Sequence, residues 1–288
     1  MPVFEPFSDW QDLTVCVPAA TTVAELNAQA APQAALWPLW LEPRQSLGEL
    51  FLSARFSSRS FRFGSLADNV LGLRWILPNG QRVDLGGRVV KNVTGFDLVR
   101  FLNASGGRFG RPENLVLRLR PLAPRQRVAT LAGPWASLDR FVSRLLADSW
   151  AHALDAVDLQ GGEVHVSFAN EASLLPLFEK AMLARAAAAS LELSFSDDLP
   201  THSAKPWARA QLPLSQMLKA AEAWAGPASG FLGQGLLHLE PGTPEALRSL
   251  HQRLAPEGGQ VEHPSIPVDT RAAQARWEEA LLTRMAVL

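Results

Sequence analysis

The stretch that decides the fold is Leu71-Gly72-Leu73-Arg74-Trp75-Ile76-Leu77-Pro78-Asn79-Gly80-Gln81-Arg82-Val83-Asp84-Leu85. Two β-rich arms flank the dipeptide Asn79-Gly80 in this stretch. Asn-Gly tolerates the positive φ angles that a tight hairpin turn requires. The stretch therefore predicts two antiparallel strands joined by a short turn.

Outward from this hairpin, the sequence predicts a small mixed unit of strands and helices. The β-rich run 13–17 is followed by Thr22 and, three positions later, Glu25, which is the pattern of a helical capping box. A short helix is expected over 98–103, and 115–119 alternates as a strand. Strand and helix signals thus surround the hairpin on both sides.

A change of pattern follows Pro121-Leu122-Ala123-Pro124, where two prolines interrupt helix and sheet pairing alike. We place a domain boundary there, with one domain over 1–124 and a second over 125–288. The order of elements in the second domain predicts an α+β fold, with helices on one face of a mainly antiparallel sheet. The predicted strands are 127–132, 156–159, 163–168, 191–195, 208–212, 235–239 and 260–262, and the predicted helices are 137–146, 171–189, 215–224, 243–254 and a last one from Asp269.

Composition excludes several classes of protein. The chain has 288 residues, 47% of them hydrophobic, and 27 basic against 28 acidic side chains give a net charge of -1. No global positive field exists to attract nucleic acid, and no apolar run approaches the roughly 20 residues that span a bilayer. Cys16 is the one cysteine, so this chain alone can form neither a disulfide nor a cysteine-ligated iron–sulfur cluster. These features indicate a reducing, cytoplasmic compartment.

Common nucleotide and metal motifs do not occur. No GxGxxG follows a strand, no GxxxxGK[ST] loop is present, and no two of the six histidines stand at the spacing that places both on one metal. Arg118, Arg120, Arg125 and Arg127 could contact phosphates, but we interpret them as a solvated strand edge that guards against aggregation.

The segments on either side of the hairpin carry a family resemblance. Arg62-Phe63-Gly64-Ser65-Leu66-Ala67-Asp68-Asn69-Val70 precedes it, and Gly86-Gly87-Arg88-Val89-Val90-Lys91-Asn92-Val93-Thr94-Gly95-Phe96-Asp97-Leu98 follows it. Both resemble the glycolate oxidase FAD-binding subunit, in the vanillyl-alcohol-oxidase superfamily with its PCMH-type FAD-binding domain. The resemblance implies a partial FAD-binding domain, its second subdomain, followed by an α+β cap-like domain. The cofactor it implies is FAD.

Position by position, the resemblance implies a set of flavin-binding residues. Glycines there would admit close approach of the backbone, and amide donors would satisfy the flavin carbonyls. The implied residues are Ser46, Gly48, Ser53, Gly64, Asp68, Lys91, Asn92 and Gly95. The same residues can also be interpreted as holding only the unit's own hairpins.

Three departures from the family pattern bear on catalysis. The matching sequence begins within a dozen residues of Met1, so we expect the Gly-rich loop that holds the FAD diphosphate to be missing. Glu49 stands where the family has a second glycine, and its charge is unfavourable beside an anionic diphosphate. The His-rich cap motif of catalytic subunits has no counterpart here.

The resemblance therefore implies an accessory subunit of a glycolate-oxidase-like, FAD-linked 2-hydroxy-acid dehydrogenase, which scaffolds and is not itself catalytic. Its partners would be a catalytic flavin subunit and an iron–sulfur subunit, and any contact with the inner membrane would be peripheral, through those partners. Two alternatives stay open: an oxidoreductase subunit that still binds FAD, with help from a partner or from a missed N-terminal segment, and an α+β binding module without a redox role.

Overall fold

The computed structural model of the chain describes residues 4–53, 56–87, 97–200, 207–224, 226–254, 256 and 259–263. Elements up to β7 form an N-terminal unit. They are β1 (Phe7–Asp9), β2 (Thr14–Pro18), α1 (Val23–Ala30), β3 (Ala35–Leu36), α2 (Leu47–Leu52), α3 (Ser60–Phe63), β4 (Val70–Ile76), β5 (Arg82–Gly86), α4 (Leu98–Leu102), β6 (Arg111–Arg118) and β7 (Arg120–Pro121).

The N-terminal unit is built on a five-stranded antiparallel sheet in the order β1-β2-β6-β4-β5. The predicted hairpin is confirmed: β4 and β5 pair from Gly72 opposite Gly86 to Ile76 opposite Arg82. Trp75 of β4 is fully buried, and its indole Nε1 donates to the carbonyl oxygen of Phe109 at 2.7 Å. The β3 and β7 strands form a separate two-stranded ribbon.

The later elements form a C-terminal unit. They are β8 (Arg125–Ala132), α5 (Trp135–Ala147), β9 (Ala156–Gln160), β10 (Glu163–Asn170), α6 (Leu175–Ala189), β11 (Glu192–Ser196), β12 (Ala208–Gln211), α7 (Leu214–Ala223), β13 (Ala228–Phe231), β14 (Leu236–Leu239), α8 (Pro244–Leu254) and β15 (Gln260–Glu262). Eight strands pair antiparallel in the order β11-β8-β10-β9-β13-β14-β12-β15. The predicted α+β class is confirmed.

Helices α5 to α8 cover one face of this sheet. Alternate strand residues, such as Leu131, Val166 and Leu237, face the helices and are fully buried. Phe141 of α5 and Phe178 of α6 pack into the same core. The opposite face of the sheet carries polar side chains, and it faces the N-terminal unit.

The buried apolar residues form two main cores, one within 15–119 and the other within 129–261. The division falls beside the prolines at 121 and 124, where we expect the boundary between domains 1–124 and 125–288. That boundary stays a prediction. The helix expected from Asp269 lies outside the described residues.

One expectation needs correction. The arginines at 118 and 127 do not stand on a sheet edge, because β6 lies between β2 and β4, and β8 lies between β11 and β10. Ser46 and Gly48, which the family resemblance places beside the flavin, lie at the cap and in the first turn of helix α2, and their role in flavin binding stays a prediction. A capping box between Ser46 and Glu49 accounts for the helix start there.

Candidate functional site between the two units

The N-terminal unit meets the C-terminal sheet along residues 56–63. Asp155, immediately before β9, has no exposed surface and accepts hydrogen bonds from Arg59 at 3.0 Å and from Arg62. Gln234 donates from Nε2 to the carbonyl oxygens of Ser57, at 2.7 Å, and Ser58, at 3.1 Å. Each of these hydrogen bonds joins a residue of the N-terminal unit to a residue of the C-terminal unit. Together they fix residues 56–63 against the sheet.

The polar face of the C-terminal sheet carries a row of ionisable and hydroxyl side chains. Thr130 of β8 pairs with His165 of β10, and His165 pairs with Asp158 of β9. Directly opposed residues place their Cβ atoms about 5 Å apart on the same face. Thr130 Oγ1 lies 3.0 Å from His165 Nδ1, and Asp158 is fully buried. The three side chains thus lie side by side on the face of the sheet that is opposite the helices.

A second group lies further along the same face. Arg209 of β12 is opposite His238 of β14, and the Arg209 guanidinium stands 5.5 Å from the ring of Phe56. His238 is only 4% exposed, and its ring meets Phe231 edge to face at 5.1 Å. An arginine and a histidine thus lie on the sheet face beside the segment that begins at Phe56.

Helix α2 carries three of the residues predicted to contact flavin. Ser46 Oγ accepts from the Glu49 amide, and Glu49 Oε2 accepts from the Ser46 amide, both at 3.3 Å. Gly48 is buried, and a Cβ atom there would lie 3.0 Å from both the Cβ and the carbonyl oxygen of Ala19. Ser53 Oγ donates to the carbonyl oxygen of Leu50 at 3.3 Å. In this structure the polar groups of Ser46 and Glu49 bond to each other, and Gly48 packs on the protein's own backbone.

Gly64 and Asp68 lie together at the end of α3. Gly64 has φ +80°, a conformation that favours glycine, and a Cβ atom there would lie 2.8 Å from that of Asp68. Asp68 Oδ2 accepts from the Ser65 amide at 2.7 Å and from the Ser65 hydroxyl at 2.6 Å. Arg100 of α4 donates to the other carboxylate oxygen.

Two opposing effects set the pKa of Asp68. Burial by itself would raise this pKa, but the hydrogen bonds from Ser65 and the charge and hydrogen bond of Arg100 bring it below its usual value. The carboxyl group is therefore ionised at neutral pH, and both of its oxygens have partners within the chain.

The predicted residues fall into two neighbouring groups. The end of α2 joins the turn after α4, since the amides of Ala104 and Gly106 donate to the carbonyl oxygens of Phe51 and Leu52. Helix α4 in turn reaches Asp68 through Arg100. Lys91, Asn92 and Gly95 lie outside the described residues.

Our sequence reasoning missed the polar face and the buried contact of Asp155 with its two arginines. A signal existed, because Thr130, Asp158, His165 and His238 each interrupt an apolar strand. Period-two alternation places such residues on the face opposite the core. The pairing of Asp155 with residues almost a hundred positions earlier has no local signal.

Part of the chain aligns in sequence with curated proteins. It is 31% identical over 124 residues to the mitochondrial D-lactate dehydrogenase (cytochrome) of Arabidopsis thaliana, covering 43% of this chain and 22% of that protein. It is 35% identical over 63 residues to glycolate oxidase subunit GlcD of Bacillus subtilis, covering 22% of this chain and 13% of GlcD. An uncharacterized FAD-linked oxidoreductase of Mycobacterium tuberculosis matches at 31% over 96 residues, covering 32% of this chain and 20% of that protein. The homologues of this chain are FAD-linked oxidoreductases.

Solved structures of another enzyme share the fold of this chain. Two crystal forms of alkyldihydroxyacetonephosphate synthase match with TM-scores of 0.64 and 0.66 at 10% identity. They cover 90% and 88% of this chain, which spans 61% of the synthase in each. The chain has the fold of the PCMH-type FAD-binding enzymes.

The aligned segments span about a fifth of the Arabidopsis and Mycobacterium relatives and less of GlcD. No family model matches the chain. In the described part of the chain, no helix is both long enough and apolar enough to cross a membrane.

Proposed function

We propose that this chain is an accessory subunit of a glycolate-oxidase-like, FAD-linked 2-hydroxy-acid dehydrogenase, and that it scaffolds the assembly without itself carrying out catalysis. The similarity to D-lactate dehydrogenase and to GlcD supports the reaction class. A catalytic flavin subunit and an iron–sulfur subunit would be its partners. The assembly would be cytoplasmic, with any membrane contact peripheral and made through those partners.

One observation carries the scaffolding role: the residues expected to hold FAD hold one another. Gly48 offers no open approach, because Ala19 occupies the space beside its Cα atom. The Ser46 and Glu49 side chains cap helix α2, and Asp68 is bound by Ser65 and Arg100. A cofactor is held by polar groups that point at it, whereas the side chains of Ser46, Glu49 and Asp68 are bonded to groups of this chain. The described members of the predicted set therefore do not fit FAD as an isolated cradle.

When bound in such an assembly, FAD would accept a hydride from the α-carbon of the substrate and pass single electrons onward. This chain's own contribution would be structural. The ion pairs of Arg59 and Arg62 with Asp155 join the two units and would keep them in one arrangement when a partner binds.

A second candidate is a subunit that still binds FAD, and the polar face of the sheet favours it. Thr130, His165 and Asp158 lie in a row on the face that turns to the N-terminal unit. A flavin held there with a partner's help would have hydrogen-bonding groups beside it. The two candidates predict different behaviour of the isolated chain.

Co-expression tests the proposed role. The chain is produced alone and together with a catalytic flavin subunit and an iron–sulfur subunit of a glycolate-oxidase-like dehydrogenase, and 2-hydroxy-acid oxidation is assayed with an artificial electron acceptor. We expect activity in the complex and none in the isolated chain. A stable monomer that associates with no flavoprotein would contradict the proposal.

A further inference from the structure

A cluster of arginines lies at the junction of the two units, outside the predicted flavin residues. The guanidinium groups of Arg59, Arg62 and Arg120 all stand over the ring of Phe63, at 4.8, 5.2 and 5.5 Å from its centre. An aromatic face attracts cations, but it carries no net charge to neutralise them. Three guanidinium groups on one ring therefore need a negative partner.

One carboxylate serves this cluster in the described part of the chain. Asp155 binds Arg59 and Arg62 and is fully enclosed by them. The side chain of Arg118 lies on the same side of the chain as that of Arg120, because alternate residues of an extended strand face the same way. Four guanidinium groups thus share a single carboxylate.

Arg120 is the least compensated member. Its Nε–H group is buried and has no hydrogen-bond partner, and it forms no ion pair with any carboxylate of the described residues. Burial lowers the pKa of Arg120, and the neighbouring charges of Arg118 and Arg62 lower it further. A buried donor without a partner is costly unless a ligand or a water satisfies it.

The cluster is open to solvent on one side. The Arg62 side chain is 28% exposed, and Arg118 and Arg120 are half-buried. On the ribbon of β3 and β7, Arg120 is paired with Leu36, and directly opposed residues of two strands place their side chains on the same face. The partial exposure of Arg62, Arg118 and Arg120 leaves part of each side chain in contact with solvent.

We propose that Arg62, Arg118 and Arg120 bind a phosphate group at the junction of the two units. Guanidinium groups bind phosphate through paired, charge-assisted hydrogen bonds, and a dianion offsets most of the excess positive charge. The phosphate belongs either to free inorganic phosphate or to a nucleotide. The site is independent of the flavin, since none of its residues is in the set predicted to contact FAD.

The test uses the full chain without added flavin. Thermal unfolding and calorimetric titration are carried out with inorganic phosphate and, separately, with ADP, against chloride at equal ionic strength. The variant Arg120→Met keeps the length and apolar stem of the side chain but removes its charge. The control Arg248→Met removes an exposed arginine on α8, which pairs with Glu245 and lies outside the cluster.

We expect phosphate to stabilise the wild-type chain and the control equally, and Arg120→Met to weaken its binding by about tenfold or more. In chloride alone, Arg120→Met is expected to unfold at the wild-type temperature or above, because it relieves repulsion between like charges. Binding of ADP without binding of inorganic phosphate would assign the site to a nucleotide. Arg118→Gln repeats the test with a second member of the cluster.

Three results would overturn the proposal. The first is that neither phosphate nor ADP binds the wild-type chain. The second is that Arg120→Met keeps wild-type affinity for both anions. The third is that Arg120→Met loses the same stability in chloride as in phosphate, because Arg120 would then be a structural residue only.

Discussion

Nη2 of Arg59 lies 3.0 Å from Oδ2 of Asp155, and both side chains are buried. Arg59 belongs to the N-terminal unit and Asp155 to the C-terminal one, so this ion pair joins the two. The second oxygen of Asp155 accepts from Arg62. A carboxylate that is removed from water in this way is stable only with both partners in place.

Asp155→Asn is therefore expected to destabilise the chain by about 3–5 kcal/mol, because it leaves the Arg59 charge buried without a counter-charge. Urea unfolding followed by tryptophan fluorescence measures the change. The control Glu245→Gln removes an exposed pair with Arg248 and should cost less than about 1 kcal/mol. Equal effects of the two substitutions would show that the pair does not hold the units together.

Gly48→Ala tests whether Gly48 packs on protein or borders a ligand. The new Cβ atom would lie 3.0 Å from the carbonyl oxygen of Ala19, so helix α2 or the turn after β2 must move. We expect a loss of about 1–3 kcal/mol in unfolding free energy, as for other overpacked sites. A variant with wild-type stability but impaired flavin binding in the complex would instead place Gly48 against the cofactor.

The capping boxes at Thr22 and Ser46 should contribute separately to stability. Each side-chain oxygen accepts from the amide three residues later, Glu25 or Glu49. Thr22→Ala and Ser46→Ala are each expected to cost about 1 kcal/mol. Chemical denaturation of both single variants checks this, and a replacement by Ser at Thr22 should restore most of the loss. No change in either variant would contradict the capping role.

Asp68 should make stability depend on pH. Its pKa is lower in the folded chain than in the unfolded one, so its contribution is fully present above the ordinary aspartate pKa of about 3.9 and is lost as the pH falls through the folded value. Asp68→Asn should therefore flatten the acid side of the stability curve below about pH 4. Asp139→Asn, on α5, serves as the control. If the unfolding free energy of Asp68→Asn falls below pH 4 as steeply as that of the wild-type chain, Asp68 makes no such contribution.

Local signals predict the elements of this fold well. Asn79-Gly80 marks the hairpin because its turn chemistry is set by two residues, and the Thr22 to Glu25 capping box marks the start of α1 for the same reason. Helix α2 is harder to predict, because it has six residues and lies where the family resemblance implies a loop. Its capping box is visible in the sequence once Ser46 and Glu49 are considered together.

The candidate site is less predictable because it depends on contacts distant in sequence. Asp155 binds Arg59 and Arg62, which lie more than ninety positions earlier in the sequence. No local periodicity in the sequence indicates that pairing. Arg118 has the alternation of a strand edge, yet the sheet order places β6 inside the five-stranded sheet, while Arg120 lies on β7 of the separate ribbon. The roles of Lys91, Asn92 and Gly95 stay predictions from the family resemblance.

We propose that this chain does not hold FAD by itself, because Ser46, Glu49 and Asp68 bond within the chain and Gly48 packs on Ala19. The most direct test is the visible absorbance spectrum of the purified chain after incubation with excess FAD and removal of free cofactor. We predict a colourless protein with no flavin band. A yellow protein with one FAD per chain would contradict the claim.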